Sequence, residues 1–155
     1  MMSELTELYQ EIILDHNKYP RNYGSLVDFT AKGEGNNPLC GDEVTVYWKL
    51  GSGAIEAISF QARGCAISQA SASMMTRILK GKSVAEAQEL FQLLRRHLTQ
   101  ADGDKEFPEK LGDLAALAGV RKYPARIKCA TLAWHALFDK MGGSAQGREL
   151  LIRGD

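Results

Sequence analysis

The chain has 155 residues, of which 45% are hydrophobic and 25% are charged, a composition typical of a single globular domain. Its 19 basic and 19 acidic residues balance, which argues against a nucleic-acid-binding domain, because such domains usually carry a basic excess. No apolar run approaches the roughly 18 residues that a membrane span needs, and the acidic N-terminus lacks the features of a signal peptide. We therefore expect a cytoplasmic protein that binds neither nucleic acid nor membranes.

The first predicted element is an amphipathic helix that begins near Ser3. Apolar residues recur there at helical spacing: Leu5, Leu8, Tyr9, Ile12 and Ile13. Pro20 ends the helix, since proline disfavours helical backbone in the residue before it. We interpret His16 as a polar residue at the helix end rather than a metal ligand. A short strand is predicted near residues 27–32.

Two stretches of alternating apolar residues then predict an antiparallel hairpin. The first stretch has Val44, Val46, Trp48 and Leu50, and the second has Ile58, Phe60 and Ala62, with a glycine-rich turn at residues 51–53. The two open ends of a hairpin lie side by side. Cys40 and Asp42, at the start of the first strand, should therefore be neighbours of Cys65, which follows the second strand.

Helices are predicted after the hairpin. Cys65 stands at the start of a helix, where the helix dipole and free N–H groups favour a thiolate. Ser83 and Glu86 form the pattern of a capping box that begins the next helix. We interpret His97, near the end of that helix, as a solvent-exposed residue.

The last third of the chain predicts a polar connection over residues 99–110 and a short helix over 111–118. A final helix begins near Pro124 and ends at residues 142–143. Cys129 lies in its second turn and could face inward to join the other two cysteines. We expect residues 1–143 to form one domain and residues 144–155 to be a polar, mobile tail.

The three cysteines are unlike a disulfide set, because their number is odd and the expected compartment is reducing. One interpretation is that they are buried thiols that act as small apolar residues. The alternative is a metal centre, since three thiolates and a carboxylate are preferred ligands of tetrahedral zinc and could also hold an iron–sulfur cluster. That ligand set is Cys40, Asp42, Cys65 and Cys129.

Three motifs, at residues 37–42, 64–75 and 126–134, resemble the IscU/NifU N-terminal family over most of the chain. They are most similar to its SufU-like branch. Lys128 stands where IscU scaffolds have a histidine before the third cysteine, and the interval between Cys65 and Cys129 is wider than in IscU. The resemblance implies an α+β fold, with a small antiparallel β-sheet and helices packed on one face.

The resemblance also implies a zinc-dependent sulfurtransferase that accepts persulfide sulfur from a SufS-like cysteine desulfurase and serves downstream iron–sulfur assembly proteins. Zn²⁺ would be held by Cys40, Asp42, Cys65 and Cys129. Cys40 is the expected sulfur acceptor, because it lies in a glycine-rich loop whereas the other cysteines belong to helices. Two alternatives stay open: a scaffold on which a [2Fe–2S] cluster is assembled, and a docking module with a purely structural zinc.

Overall fold

The structure, a computed structural model, describes residues 2–38, 40–99 and 106–141. Its elements in chain order are α1 (Met2–Lys18), β1 (Ala31–Asn37), β2 (Asp42–Gly51), β3 (Ala54–Arg63), α2 (Ala66–Leu79), α3 (Val84–Leu98), a 3₁₀ segment (Glu109–Lys122) and α4 (Pro124–Met141). Among these described residues, no helix combines the length and apolar character that crossing a membrane requires.

The three strands form one antiparallel sheet in the order β1-β2-β3. In its register, Val46 of β2 lies opposite Gly33 of β1 and Phe60 of β3. Alternate residues of β2 are buried, as expected for a sheet with one covered face. Helices α2 and α4 pack against the sheet. The predicted α+β fold and the predicted hairpin are confirmed.

The core lies between the sheet and the helices and continues into α3 and the 3₁₀ segment. The rings of Phe91, Trp134 and Phe138 stack where α3 meets α4, with centroids 5.1 Å and 5.5 Å from the Phe91 ring. A buried polar link also ties α2 to α4, since Ser71 Oγ donates to the Ala130 carbonyl and accepts from the Trp134 indole. These contacts fix α4, and hence Cys129, against the sheet.

The first strand was predicted too early in the chain. Val27 is fully exposed, and β1 instead runs through the glycine-containing stretch from Ala31 to Asn37. Close packing against α4 is the physical reason, because a Cβ atom at Gly33 would overlap the backbone carbonyl oxygen of Ala136. Such close approach favours glycine over the residues that signal a strand in a sequence.

Two histidines are more buried than their sequence context indicated. His16 lies in the last turn of α1, as predicted, but it bridges elements: Nδ1 is 2.8 Å from Ser73 Oγ and Nε2 is 3.0 Å from Asp113 Oδ2. The prediction of an exposed His97 is wrong. Only 5% of His97 is exposed, because its ring packs beside Phe107 in the segment that precedes the 3₁₀ turn.

The other helix predictions are partly confirmed. The capping box of Ser83 and Glu86 is formed, and Pro124 is the first residue of α4. The short helix predicted over residues 111–118 is a longer 3₁₀ segment with a kink at Gly112. The predicted end of α4 at residues 142–143 and the predicted tail at 144–155 lie outside the described residues, as do residues 100–105 of the predicted 99–110 connection.

Candidate metal centre

Cys40 lies in the turn that joins β1 to β2. Its backbone N–H donates to the Asn37 carbonyl at 3.1 Å. Gly41 follows with φ +69°, a left-handed conformation that glycine adopts without a steric penalty. The chain thereby reverses, and Asp42 begins β2 opposite Asn37. Cys40 is half-buried, whereas Asp42 is fully buried.

Cys65 is the N-cap of α2 and is bound to Asp42 by two contacts. Its backbone N–H donates to Asp42 Oδ1 at 2.8 Å, and its Sγ is 3.7 Å from Asp42 Oδ2. Its Sγ also accepts a hydrogen bond from the Ser68 N–H at 3.5 Å. A sulfur at this position therefore receives the partial positive charge of the helix N-terminus.

Gly64 makes the approach of Cys65 to Asp42 possible. Its φ is +137°, a conformation that side chains other than glycine rarely adopt. A Cβ atom at this position would overlap Asp42 Oδ1. The carboxylate of Asp42 thus occupies the space that any larger residue at position 64 would need.

Cys129 comes to the same point from α4. It is fully buried, and its Sγ is 3.2 Å from the Sγ of Cys40. The side-chain amide of Asn37 donates to the Cys129 sulfur at 3.6 Å. The sequence prediction that Cys129 faces inward agrees with this position.

The four predicted ligands do not meet symmetrically. The Sγ atoms of Cys40 and Cys129 and a carboxylate oxygen of Asp42 all lie within 4.8 Å of one another. Cys65 is outside this mutual group and contacts it through Asp42 and through a hydrogen bond with Cys129. A tetrahedron with metal–sulfur bonds of about 2.3 Å has edges of about 3.8 Å. The 3.7 Å from the Cys65 sulfur to the Asp42 oxygen matches such an edge, and the 3.2 Å between the sulfurs of Cys40 and Cys129 is shorter than one. The residues present therefore fit a zinc-sized ion.

Burial controls the protonation of this centre. Burial raises the pKa of the Cys129 thiol, and hydrogen bonds with Asp42, Cys40 and Cys65 raise it further. Without a cation, the Cys129 sulfur therefore keeps its proton, which it shares with Cys40. A divalent cation reverses this preference, because it stabilises the thiolate form of a coordinating cysteine.

Arg126 places a permanent positive charge beside the sulfurs. It lies one helical turn before Cys129 and is exposed. A hydrogen bond to Cys129 and the charges of the Cys65, Cys129 and Cys40 sulfurs raise the pKa of its guanidinium. Arg126 thus adds an exposed cation to a site whose sulfurs are half-buried or buried.

A groove leads to the cluster from the side of α1 and the 3₁₀ segment. Its volume is about 590 Å³, and Cys65 and Arg126 both line it. The remaining walls are largely apolar and include Ile13, Val120 and Tyr123. An anionic group carried on an apolar segment would find complementary chemistry here.

Sequence reasoning brought the cysteines and Asp42 together but missed three residues around them. In the sequence, Asn37, Gly64 and Arg126 stood out only as members of the motifs at residues 37–42, 64–75 and 126–134. Pairing of the two hairpin ends could have indicated Gly64, since that end has to lie against Asp42. The Asn37 contact depends on where α4 crosses the sheet, which no local pattern encodes.

The comparisons of this chain with known proteins agree with one another. The NifU-like N-terminal domain family matches residues 8–130. The zinc-dependent sulfurtransferase SufU of Bacillus subtilis is 44% identical over 135 residues, which cover 87% of this chain and 90% of that protein. The iron–sulfur cluster assembly scaffold protein IscU of Streptococcus pyogenes is 40% identical over 149 residues, covering 96% of this chain and 92% of that protein.

A solved structure agrees with these matches. The crystal structure of SufU from Fervidobacterium islandicum, described as an iron–sulfur cluster assembly scaffold protein for the SUF system, superposes with a TM-score of 0.73 at 35% identity. The match covers 82% of this chain and 91% of that one. From the sequence match and the shared fold together, the chain belongs to the NifU-like N-terminal domain family.

Proposed function

We propose that this protein is a zinc-dependent sulfurtransferase of iron–sulfur cluster assembly, working in the cytoplasm with a SufS-like cysteine desulfurase. The observation that carries the proposal is the meeting of two cysteine sulfurs and a buried carboxylate within 4.8 Å. The similarity to a SufU named as a zinc-dependent sulfurtransferase supports the same choice.

In this proposal Cys40, Asp42, Cys65 and Cys129 hold one Zn²⁺ ion. When bound, zinc keeps the cysteines as thiolates at neutral pH and protects them from oxidation. The chain contributes the rest: the hairpin brings Cys40 and Asp42 to Cys65, and α4 supplies Cys129. The ends of these elements are far apart in sequence, so binding of the ion is coupled to the stability of the fold.

Sulfur transfer is an exchange between a thiol and a persulfide. The sulfur of Cys40 attacks the outer sulfur of the desulfurase persulfide, and a new S–S bond forms on Cys40. The original S–S bond of the desulfurase breaks, and its electron pair stays on the desulfurase cysteine. Cys40 reacts as a thiolate and the desulfurase cysteine leaves as a thiolate, so charge and electrons balance and the exchange needs no external oxidant or reductant.

Cys40 is the proposed acceptor because of its location. It is half-buried in a turn, whereas Cys129 is fully buried inside α4. Movement of a turn breaks few contacts, while exposing a residue in a packed helix breaks many. Arg126, exposed beside the sulfurs, would attract the anionic persulfide as it approaches.

A second candidate is a scaffold on which a [2Fe–2S] cluster is assembled. The same four ligands could hold a cluster, and the similarity to the Streptococcus pyogenes protein, named as an IscU scaffold, favours this candidate. Against it stands Lys128, where the resemblance to IscU scaffolds would lead one to expect a histidine. Metal content separates the two, since the scaffold requires iron and sulfide with visible absorption.

The decisive experiment combines zinc analysis with mapping of the transferred sulfur. The purified protein is incubated briefly with a cysteine desulfurase and cysteine, and peptides are examined by mass spectrometry. We expect one zinc per chain and an adduct of about 32 Da, the mass of one sulfur atom gained in the exchange, on the Cys40 peptide. Cys40→Ser should retain the fold and carry no adduct. An adduct found only on Cys65 or Cys129 would contradict the proposed role of Cys40.

A further inference from the structure

The three sulfurs of the site differ in the hydrogen bonds that they receive. Cys65 Sγ accepts from the backbone N–H of Ser68 at 3.5 Å. Cys129 Sγ accepts from the buried side-chain amide of Asn37 at 3.6 Å, and the exposed guanidinium of Arg126 is also hydrogen-bonded to it. Among the described residues, the Sγ of Cys40 has no nitrogen donor within hydrogen-bonding distance, and its contact is with the sulfur of Cys129.

Hydrogen bonds change what a thiolate does. A donor that points at the sulfur withdraws negative charge from it and makes it a poorer nucleophile. Donors beyond the ligands of a metal also fix the ligands in position. By this criterion the sulfurs of Cys129 and Cys65 are fixed in position and are weaker nucleophiles, and Cys40 has the most reactive sulfur of the three.

Asn37 is well placed to act on Cys129. It is buried, with 7% of its surface exposed, and it is the last residue of β1, paired with Asp42. Pro38 follows it, and a proline favours extended backbone in the residue before it. The amide nitrogen faces the sulfur because a carbonyl oxygen in that position would meet another acceptor.

We propose that Asn37 is a positioning residue that holds Cys129 as a non-reacting sulfur and so directs incoming sulfur to Cys40. This inference rests on the proposed sulfurtransferase function, which it deepens by naming the residue that separates a holding cysteine from a reacting one. Burial of Cys129 limits access to its sulfur, and the Asn37 amide limits the reactivity of that sulfur. The two effects can be separated experimentally.

The test uses the zinc-loaded protein and the variant Asn37→Leu, in which a side chain with the same branching and the same number of heavy atoms lacks the donor. The matched control is Asn36→Leu, the same change at the neighbouring exposed position of β1. Each protein receives a short pulse of iodoacetamide, and peptide mass spectrometry gives the modification of each cysteine. Because leucine fills the space of asparagine, access to Cys129 stays nearly unchanged.

We expect the modification rate of Cys129, relative to that of Cys40, to rise about tenfold in Asn37→Leu, the order of magnitude by which loss of a supporting residue changes the affinity or activity of a metal site. Asn36→Leu should match the wild type. A second variant, Asn37→Val, suits the strand and also removes the donor, so it should show the same direction. After incubation with desulfurase and cysteine, part of the sulfur adduct should move from Cys40 to Cys129 in both Asn37 variants.

An unchanged ratio of Cys129 to Cys40 modification in Asn37→Leu and Asn37→Val would overturn the proposal. So would an equal rise in Asn36→Leu. Loss of zinc or of the fold from both Asn37 variants, with Asn36→Leu intact, would assign Asn37 to holding the site together and would also overturn it. Failure of the wild type to accept sulfur would refute the proposed function instead, since the iodoacetamide ratios need no desulfurase.

Discussion

The turn at Cys40 and the helix at Cys129 each bring one sulfur to the same point, 3.2 Å apart, yet the two regions differ in every other respect. The Cys40 turn is half-buried and depends on one backbone hydrogen bond and on the left-handed Gly41. Cys129 is fully buried on the inner face of a helix that is fixed by the link between Ser71 and Ala130 and by stacked aromatic rings.

The difference teaches how one centre can both hold an ion and react. A reacting sulfur has to leave its partners for a moment, which is easiest where few contacts are broken. A holding sulfur has to stay while that happens, which a packed helix ensures. The difference between the surroundings of Cys40 and those of Cys129 therefore matters as much as the identity of the ligands.

The largest effect is expected from exchanging one of the two sulfurs for oxygen. Cys129→Ser should lose zinc and about 2 kcal/mol of stability, because it places a poorer ligand in a fully buried position. That loss corresponds to a decrease in Tm of about 4–8 °C for a chain of this size. Cys40→Ser should lower Tm less, because its turn is half-buried. Differential scanning calorimetry with zinc analysis measures both.

Equal decreases in Tm for Cys129→Ser and Cys40→Ser would contradict the proposed difference between the two regions, since the turn would then support the fold as strongly as the helix. Zinc-depleted wild type is the control. If both variants match its melting curve, their effect comes from loss of the ion alone.

The second prediction compares two glycines on the hairpin side of the site. Gly64→Ala should destabilise the protein by about 1–3 kcal/mol through its backbone conformation, and it should also displace the Asp42 carboxylate that a Cβ would overlap. Gly41→Ala meets no atom within 4 Å, so it should cost only about 1–2 kcal/mol for the left-handed backbone. Zinc affinity should fall more than tenfold in Gly64→Ala and little in Gly41→Ala.

Competition with a chromophoric zinc chelator measures these affinities. Similar losses of affinity in the two variants would mean that the close contact between Gly64 and Asp42 does not position the ligand. A large loss in Gly41→Ala alone would instead place the control of the site in the Cys40 turn.

Sequence reasoning succeeded where local pattern and topology coincide. Alternating apolar residues defined the hairpin, and a hairpin joins its own ends, so Cys40, Asp42 and Cys65 followed directly. It failed for β1, where close packing against the backbone of α4 requires glycine at position 33. It also failed for His97, which is buried against Phe107. Both failures concern contacts between separate segments, Gly33 with Ala136 and His97 with Phe107, which periodicity within one segment does not record.

The same limit applies inside the candidate site. The sequence allowed Cys129, in the second turn of α4, to face inward, and the structure has it buried there. The donor on its sulfur could not be predicted, because Asn37 belongs to a strand whose register with β2 and position under α4 are set by tertiary packing. The metal-binding residues could be recognised in the sequence by their type. The residues that support them could be recognised only from interatomic distances in the structure.

The third prediction concerns Asp42, which is both a candidate ligand and the acceptor of the Cys65 N–H. Asp42→Asn keeps an oxygen for that hydrogen bond and loses the negative charge, whereas Asp42→Ala loses both. We expect zinc affinity to fall about tenfold in Asp42→Asn, with a near-normal Tm, and Asp42→Ala to be less stable as well. Both should keep more zinc than Cys129→Ser, because three thiolates remain and water can complete the site.

Loss of zinc from Asp42→Ala as complete as that from Cys129→Ser would contradict this order. It would show that the carboxylate, rather than the sulfur of α4, is the principal anchor. The same zinc competition and calorimetry apply, so the three ligand variants can be ranked on one scale.

The smallest effect is expected from the exposed cation beside the sulfurs. Arg126→Gln removes a charge that hydrogen-bonds to Cys129 and acts on all three sulfurs, so it should slow sulfur transfer from the desulfurase by about two- to fivefold at low ionic strength. Lys128→Gln removes the same charge two residues away on α4 and is the matched control. Because exposed charges are screened by salt, the difference between the variants should vanish near 0.5 M salt. Zinc content should be normal in both. Equal slowing in Arg126→Gln and Lys128→Gln would mean that the general positive charge of this surface guides the partner, and that the position of Arg126 next to Cys129 adds nothing to the transfer.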